Sequence, residues 1–150
     1  MKLTSMDKIL ELAIEKEEDA YQFYTDLAGK MQKPNMKKVF ESFAKEEQGH
    51  KQKLIGIKQG KFVMPSMEKI QDLKIAEHVI DVTPAADLDF QEALILAMKA
   101  EKAAFKLYSD LAEASDDANT KNLFLALAQE EAKHKLRFEI EYDEYTYKDN

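Results

Sequence analysis

Two short stretches hold side chains that could bind metal together: Lys45-Glu-Glu-Gln-Gly-His50 and Gln129-Glu-Glu-Ala-Lys-His134. Each contains Glu-x-x-His. Residues three apart on a helix share a face, so Glu47 and His50 can reach one point in space, and so can Glu131 and His134. The chain has three histidines, and these motifs use two of them. The motifs lie 84 residues apart, and Glu17 and Glu101 repeat the same separation, each 30 residues before its motif. Four carboxylates and two imidazoles in this order point to a two-metal site inside a four-helix bundle.

Charge balance gives the physical reason. Buried carboxylates without a partner cost several kcal/mol each or stay protonated. Two divalent cations carry charge enough to cancel four carboxylates, and the imidazoles add neutral ligands. Oxygen and nitrogen donors of this kind suit iron or manganese, with zinc as an adventitious occupant. A lone Glu-x-x-His is weak evidence; two copies at a fixed offset, each with a matched upstream Glu, are strong evidence. Glu18, Glu46 and Glu130 adjoin the candidates and are the alternatives. The repeat register favours Glu17, and the spacing favours Glu47 and Glu131. His78 reads as a surface or loop histidine. Tyr24 and Tyr108 lie seven residues after Glu17 and Glu101 on the same stripe. They are either hydrogen-bond donors to bound carboxylates or ordinary core tyrosines.

The elements that must position these residues are helices. With four Gly, three Pro and abundant Ala, Leu, Glu and Lys, helix is the favoured state. Thr4-Ser-Met-Asp7 can cap a first helix. Leu10, Ala13, Ala20, Leu27 and Met31 follow the three-four spacing of a bundle seam, and Glu17 and Tyr24 stand in that seam. Gly29 and Pro34 mark a turn. A second helix runs from about Asn35 to Gln59, with Gly60 as its stop and Phe40, Phe43, Glu47, His50 and Leu54 in its seam. Residues 60–88 form a connection too long for a tight turn, with a short helix near Met67–Val79. Asp89-Phe-Gln-Glu92 resembles a capping box and opens a third helix through Glu101 and Tyr108. Ser115-Asp-Asp117 turns into a fourth, which carries Phe124, Leu127, Glu131, His134 and Phe138. The tyrosine-rich tail from Tyr142 reads as a fraying helix end available to a neighbour.

The expected architecture is therefore all-α: an antiparallel four-helix bundle with one long crossover between helices 2 and 3. It is expected to be a single domain over 1–150, with hairpins at about 5–59 and 89–145. At an offset of 84 the hairpins are an internal repeat. Leu10, Ala13, Glu17, Tyr24 and Leu27 meet Leu94, Ala97, Glu101, Tyr108 and Leu111. Phe40, Ala44, Glu47 and His50 meet Phe124, Ala128, Glu131 and His134.

Composition excludes other classes. The sequence has no Cys, so disulfides and a Cys-ligated iron centre are ruled out within it. A net charge of −7 argues against nucleic acid as the main partner. The N-terminus shows no apolar signal region, and no stretch reads as a membrane span. The expectation is a cytoplasmic protein.

These motifs together resemble the rubrerythrin-like branch of the ferritin-like superfamily. The likeness rests on Glu17-x-x-Ala20-x-x-x-Tyr24, Glu47-x-x-His50 and their repeats Glu101-x-x-Ala104-x-x-x-Tyr108 and Glu131-x-x-His134. It extends to the run 89–98 and the tail beginning at Glu141. The resemblance implies a ferritin-like bundle with a non-haem diiron centre. Glu17 and Glu101 would be terminal ligands, Glu47 and Glu131 would bridge, and His50 and His134 would each bind one iron. It also implies reduction of hydrogen peroxide or oxygen, an external electron donor such as a rubredoxin, and a homodimer.

The resemblance is incomplete. The rubredoxin-type domain has no counterpart here. Rubrerythrins proper carry a further Glu three residues after the third-helix ligand, where this sequence has Ala104. The remaining six-ligand set is similar to that of bacterioferritin, although the Met that binds haem there is Gln48. There is also no segment for the fifth helix found in ferritin cages. The alternatives are a ferroxidase or iron-handling protein, and a bundle that retains metal without catalysis.

Overall fold

The computed structural model describes residues 6–73 and 89–149. The described residues form five helices: α1 (Met6–Gly29), α2 (Pro34–Lys58), α3 (Met67–Asp72), α4 (Phe90–Glu113) and α5 (Ala118–Asp149). No strand occurs among the described residues. The helices fall into two compact units, one within Leu3–Val63 and one within Met64–Asn150. The expected Thr4-Ser5 cap and His78 lie outside the described residues, as does the crossover from 74 to 88.

The first unit is the α1–α2 hairpin. Pro34 opens α2 at a position where its missing N–H costs nothing. At the far end Gly60 takes a φ of 87°, a left-handed conformation open to Gly. The turn it makes lets the Lys61 N–H reach the Gly56 carbonyl at 2.9 Å and the Gly60 N–H reach Ile57 at 3.0 Å. The last carbonyls of α2 are satisfied in this way. The two helices close on Leu10, Ala13, Leu27, Phe40, Ala44 and Leu54, all buried.

The second unit pairs α4 with α5. The Asp89 carboxylate accepts the Glu92 N–H at 2.8 Å and caps α4, as the capping-box pattern implied. Asp117 caps α5 by accepting the Thr120 N–H at 3.1 Å. The short α3 sits at the other end of α4, where the Ser66 N–H donates to the Ala114 carbonyl at 3.0 Å and Lys69 pairs with Asp116. α5 runs to Asp149, about one turn beyond the expected end near 145. The helix rests on the start of α4 as far as Tyr145: Gln91 donates to the Tyr142 hydroxyl at 3.2 Å, and the Tyr145 ring meets Phe90 edge-on at 5.3 Å.

The 84-residue repeat is also a repeat of burial. Leu94, Ala97, Tyr108, Leu111, Phe124 and Ala128 are buried in the second unit as their counterparts are in the first. Similar seams in both hairpins are what sequence periodicity can specify, because it sets the face a helix must hide.

Candidate metal centre

Each hairpin assembles one Glu from its first helix with the Glu-x-x-His of its second. In the first unit, α1 brings Glu17 and α2 brings Glu47 and His50. In the second, α4 brings Glu101 and α5 brings Glu131 and His134. All six are buried, at 1–2% exposure, which is far from the usual place for ionisable side chains. Local sequence puts them there. Glu47 and His50 continue the stripe of Phe40, Phe43 and Leu54, and Glu131 and His134 continue that of Phe124, Leu127 and Phe138. A helix that hides the apolar members of its stripe must hide the polar ones as well.

His50 Nδ1 lies 3.2 Å from Glu47 Oε1 and 3.6 Å from Glu17 Oε2. His134 Nδ1 lies 3.7 Å from Glu101 Oε1 and 4.0 Å from Glu131 Oε1. In both units the same ring nitrogen faces the carboxylates. The three donor atoms of each triad lie within 4.8 Å of one another. Donors that share an ion at about 2.1 Å stand roughly 3–4 Å apart, and the four His–Glu separations fall in that range. Three of them exceed the length of a good N–H···O hydrogen bond. The donor type and the spacing therefore both fit a metal of the iron or manganese class.

The neighbouring carboxylates are placed differently. Glu46 is exposed and Glu130 half-buried. Glu18 is half-buried and turned to the flank of the hairpin, where Lys51 donates to it at 2.8 Å and Gln22 at 2.9 Å. The Lys51 and Gln22 bonds hold the Glu18 carboxyl below the usual carboxylate range. Tyr24 and Tyr108 are both buried. The Tyr24 ring packs edge-on to Phe43 at 6.0 Å, whereas Tyr108 stacks on Phe124 at 6.3 Å. Asp110 is a buried acid that sequence reasoning did not single out. It bonds Lys106 at 3.2 Å, and its i,i+4 spacing from that Lys was the available signal.

Helical hairpins that carry buried Glu/Glu/His sets define the class: ferritin-like metal-carboxylate proteins. Solved structures agree. A protein of Thermotoga maritima described as ferritin-like and diiron-carboxylate superposes with a TM-score of 0.71 at 20% identity, covering 93% of this chain and 95% of its own. A hypothetical protein of Pyrococcus furiosus superposes with a TM-score of 0.70 at 26% identity, covering 93% of this chain and 89% of its own. The curated proteins gave no match. The rubrerythrin family profile matches residues 8–142, and the chain belongs to that family. The fold expected from the sequence is thus the fold found. Among the described residues no helix is long and apolar enough to cross a membrane.

Proposed function

We propose that the chain is a single-domain, non-haem diiron redox protein of rubrerythrin type, reducing hydrogen peroxide or oxygen with electrons from a separate donor such as a rubredoxin. The observation that carries this reading is the doubled triad. Two hairpins present the same buried Glu/Glu/His set in the same register. Glu17 and Glu101 would be terminal ligands, Glu47 and Glu131 would bridge, and His50 and His134 would each hold one ion. The protein acts in the cytoplasm as a homodimer.

Two ferrous ions, when bound, supply the two electrons needed to cleave the O–O bond of peroxide to water. The protein's part is to hold and to neutralise. Four carboxylates match the charge of two divalent ions and remain available as it rises. Neutral imidazoles take up one position each and leave others open. Apolar residues along both seams, among them Leu54 and Phe138, keep bulk water from the site. Tyr24 and Tyr108 stand on the site-bearing stripe and are assigned as hydrogen-bond donors that orient the carboxylates.

A ferroxidase reading is favoured by one observation. The position of the further Glu of rubrerythrins proper is Ala104, half-buried on α4, so the donor set has six members and not seven. Stopped-flow mixing of the anaerobically reduced, iron-loaded protein with each oxidant separates the two. The peroxidase reading expects much faster oxidation by stoichiometric peroxide than by air-saturating oxygen. Turnover should follow when a rubredoxin and its reductase are added. Faster oxidation by oxygen, with continued uptake of ferrous iron into a mineral, would establish the ferroxidase instead.

A further inference from the structure

The outward face of α4 inverts the charge of its counterpart. At the 84-residue offset, α1 carries Glu11, Glu15, Glu18 and Gln22 where α4 carries Ile95, Lys99, Lys102 and Lys106. Three-four spacing puts each set on one stripe. Lys99, Lys102 and Lys106 are exposed, and so is Phe105 beside them, at 42%. Folding does not require the inversion, because Lys and Glu have similar helix propensities. In the first hairpin the acids fasten α1 to α2: Glu11 pairs with Lys58 at 3.0 Å and Glu18 with Lys51 at 2.8 Å. In the second, the position of Lys51 is Lys135, which pairs with Glu139 on its own helix. Like charges thus take both positions of what is an ion pair in the first hairpin. Lys106 bonds Asp110 on its own helix at 3.2 Å with 54% of its side chain exposed. Among the described residues neither Lys99 nor Lys102 is in an ion pair.

This stripe backs directly onto a candidate ligand, because Lys102 follows Glu101 in the chain. A helix with its side chains is about 10–12 Å across, so a partner seated on the outer face of α4 stands about one helix width from Glu101. The chain as a whole is acidic, at −7. An acidic protein is therefore repelled by most of the surface and attracted at this flank, which selects one orientation and raises the encounter rate. A few exposed lysines edged by one apolar ring make a small, short-lived contact. That suits a donor that must leave after each transfer. Reduction of one peroxide to two waters takes two electrons and two protons, so two one-electron donors visit in turn and each departs oxidised. An extended polyanion, whether nucleic acid or an anionic bilayer, reaches past the flank onto the acidic remainder of the surface, whereas a small acidic protein does not.

We propose that the flank formed by Lys99, Lys102, Lys106 and Lys135, with Phe105 at its edge, is the docking surface for an acidic electron-donor protein. The proposal rests on the redox reading above and says where its external donor binds. It uses none of the six candidate ligands. The matching flank of the first hairpin, acidic on α1, does not bind the donor.

Two experiments on the full chain test it. For binding, the probe is an acidic rubredoxin, and both proteins carry zinc so that NMR reads contact without redox chemistry. At low salt the probe should shift amide signals of residues 95–106 and leave those of α1 unmoved, and about 0.3 M salt should abolish the shifts. For transfer, stopped-flow mixing follows oxidation of reduced rubredoxin by the iron-loaded, oxidised protein. Lys99→Glu combined with Lys102→Glu should slow it about ten-fold or more. Lys37→Glu combined with Lys38→Glu, at exposed positions near the start of α2, changes the net charge equally and should slow it less than about two-fold. Metal content, and oxidation of the chemically reduced variants by peroxide, should match the wild type. Equal slowing by the two double variants overturns the proposal, as do shifts centred on another helix or the absence of binding at low salt. Salt-sensitive shifts at 95–106, in a protein that peroxide does not oxidise when reduced, would leave the docking surface standing and sink the peroxidase reading alone.

Discussion

The two hairpins are alike on the inside and different on the outside. Their buried seams match at the candidate ligands and at most of the apolar positions around them, down to the ring nitrogen that each His turns toward its carboxylates. Their flanks do not match. In the first hairpin Lys51 on α2 reaches across to Glu18 on α1. In the second, the position equivalent to Glu18 is Lys102, and Lys135 turns instead to Glu139 on its own helix. The ends differ too. α2 stops at Lys58, but α5, which begins at the repeat-equivalent position, runs on to Asp149. The tail extends past the core and docks Tyr142 and Tyr145 on the start of α4. The difference teaches which residues the repeat constrains: those that meet in the seam and bear the candidate ligands. Elsewhere each hairpin has found its own way to fasten its two helices.

The largest effects should come from the matched interior, and should be equal in the two hairpins. Glu47→Ala and Glu131→Ala are each expected to lose both metals, because each removes a proposed bridge. Glu17→Ala and Glu101→Ala should each weaken one. Glu46→Ala and Glu130→Ala should change nothing. Elemental analysis of iron-reconstituted variants checks the set, and metal loss in Glu46→Ala but not in Glu47→Ala would move the ligand register by one residue.

A smaller effect should separate the hairpins. Tyr145→Ala removes the ring contact with Phe90, which has no counterpart in the first hairpin. The expected loss is about 1 kcal/mol beyond simple area, read by chemical denaturation. Amide exchange should quicken at the start of α4 and the end of α5, with α1 and α2 unaffected.

The smallest concerns the flanks. Lys51→Met breaks a tie between two helices, and Lys135→Met breaks one within a single helix. Exposed pairs of this kind are worth about 0.2–1 kcal/mol, and the cross-helix pair should lie at the upper end. Its pH dependence has a definite sign. The Glu18 carboxyl is held below its ordinary value when folded. Its contribution is therefore full above the ordinary carboxylate range and is lost as pH falls through the lowered value. Stability of the wild type and of Lys51→Met, measured against pH, should converge in acid.

Much of this was legible in the sequence, and the reason is periodicity. Glu47 and His50 fall in step with Phe40 and Leu54, so helix geometry alone sends them to the buried face. Asp89 and Glu92 announce a helix start by a local bond, and the structure makes it. What was not legible depends on partners distant in sequence. Nothing local in Glu18 says that Lys51, 33 residues on, will hold it. Nothing in the composition of the tail says that Tyr145 will meet Phe90; a tyrosine-rich end reads equally well as frayed. The choice between Glu17 and Glu18 rested on repeat register, and the structure adds that one is buried among the donors and the other is tied to a lysine on the flank.

The central claim is that two irons are held jointly by the two triads. Anomalous diffraction at the iron edge, from crystals of protein carrying its native metal, tests it most directly. The account predicts two iron peaks per chain, a few ångströms apart, one beside His50 Nδ1 and one beside His134 Nδ1, with Glu47 and Glu131 touching both. A single peak, or peaks confined to one hairpin's triad, would contradict it.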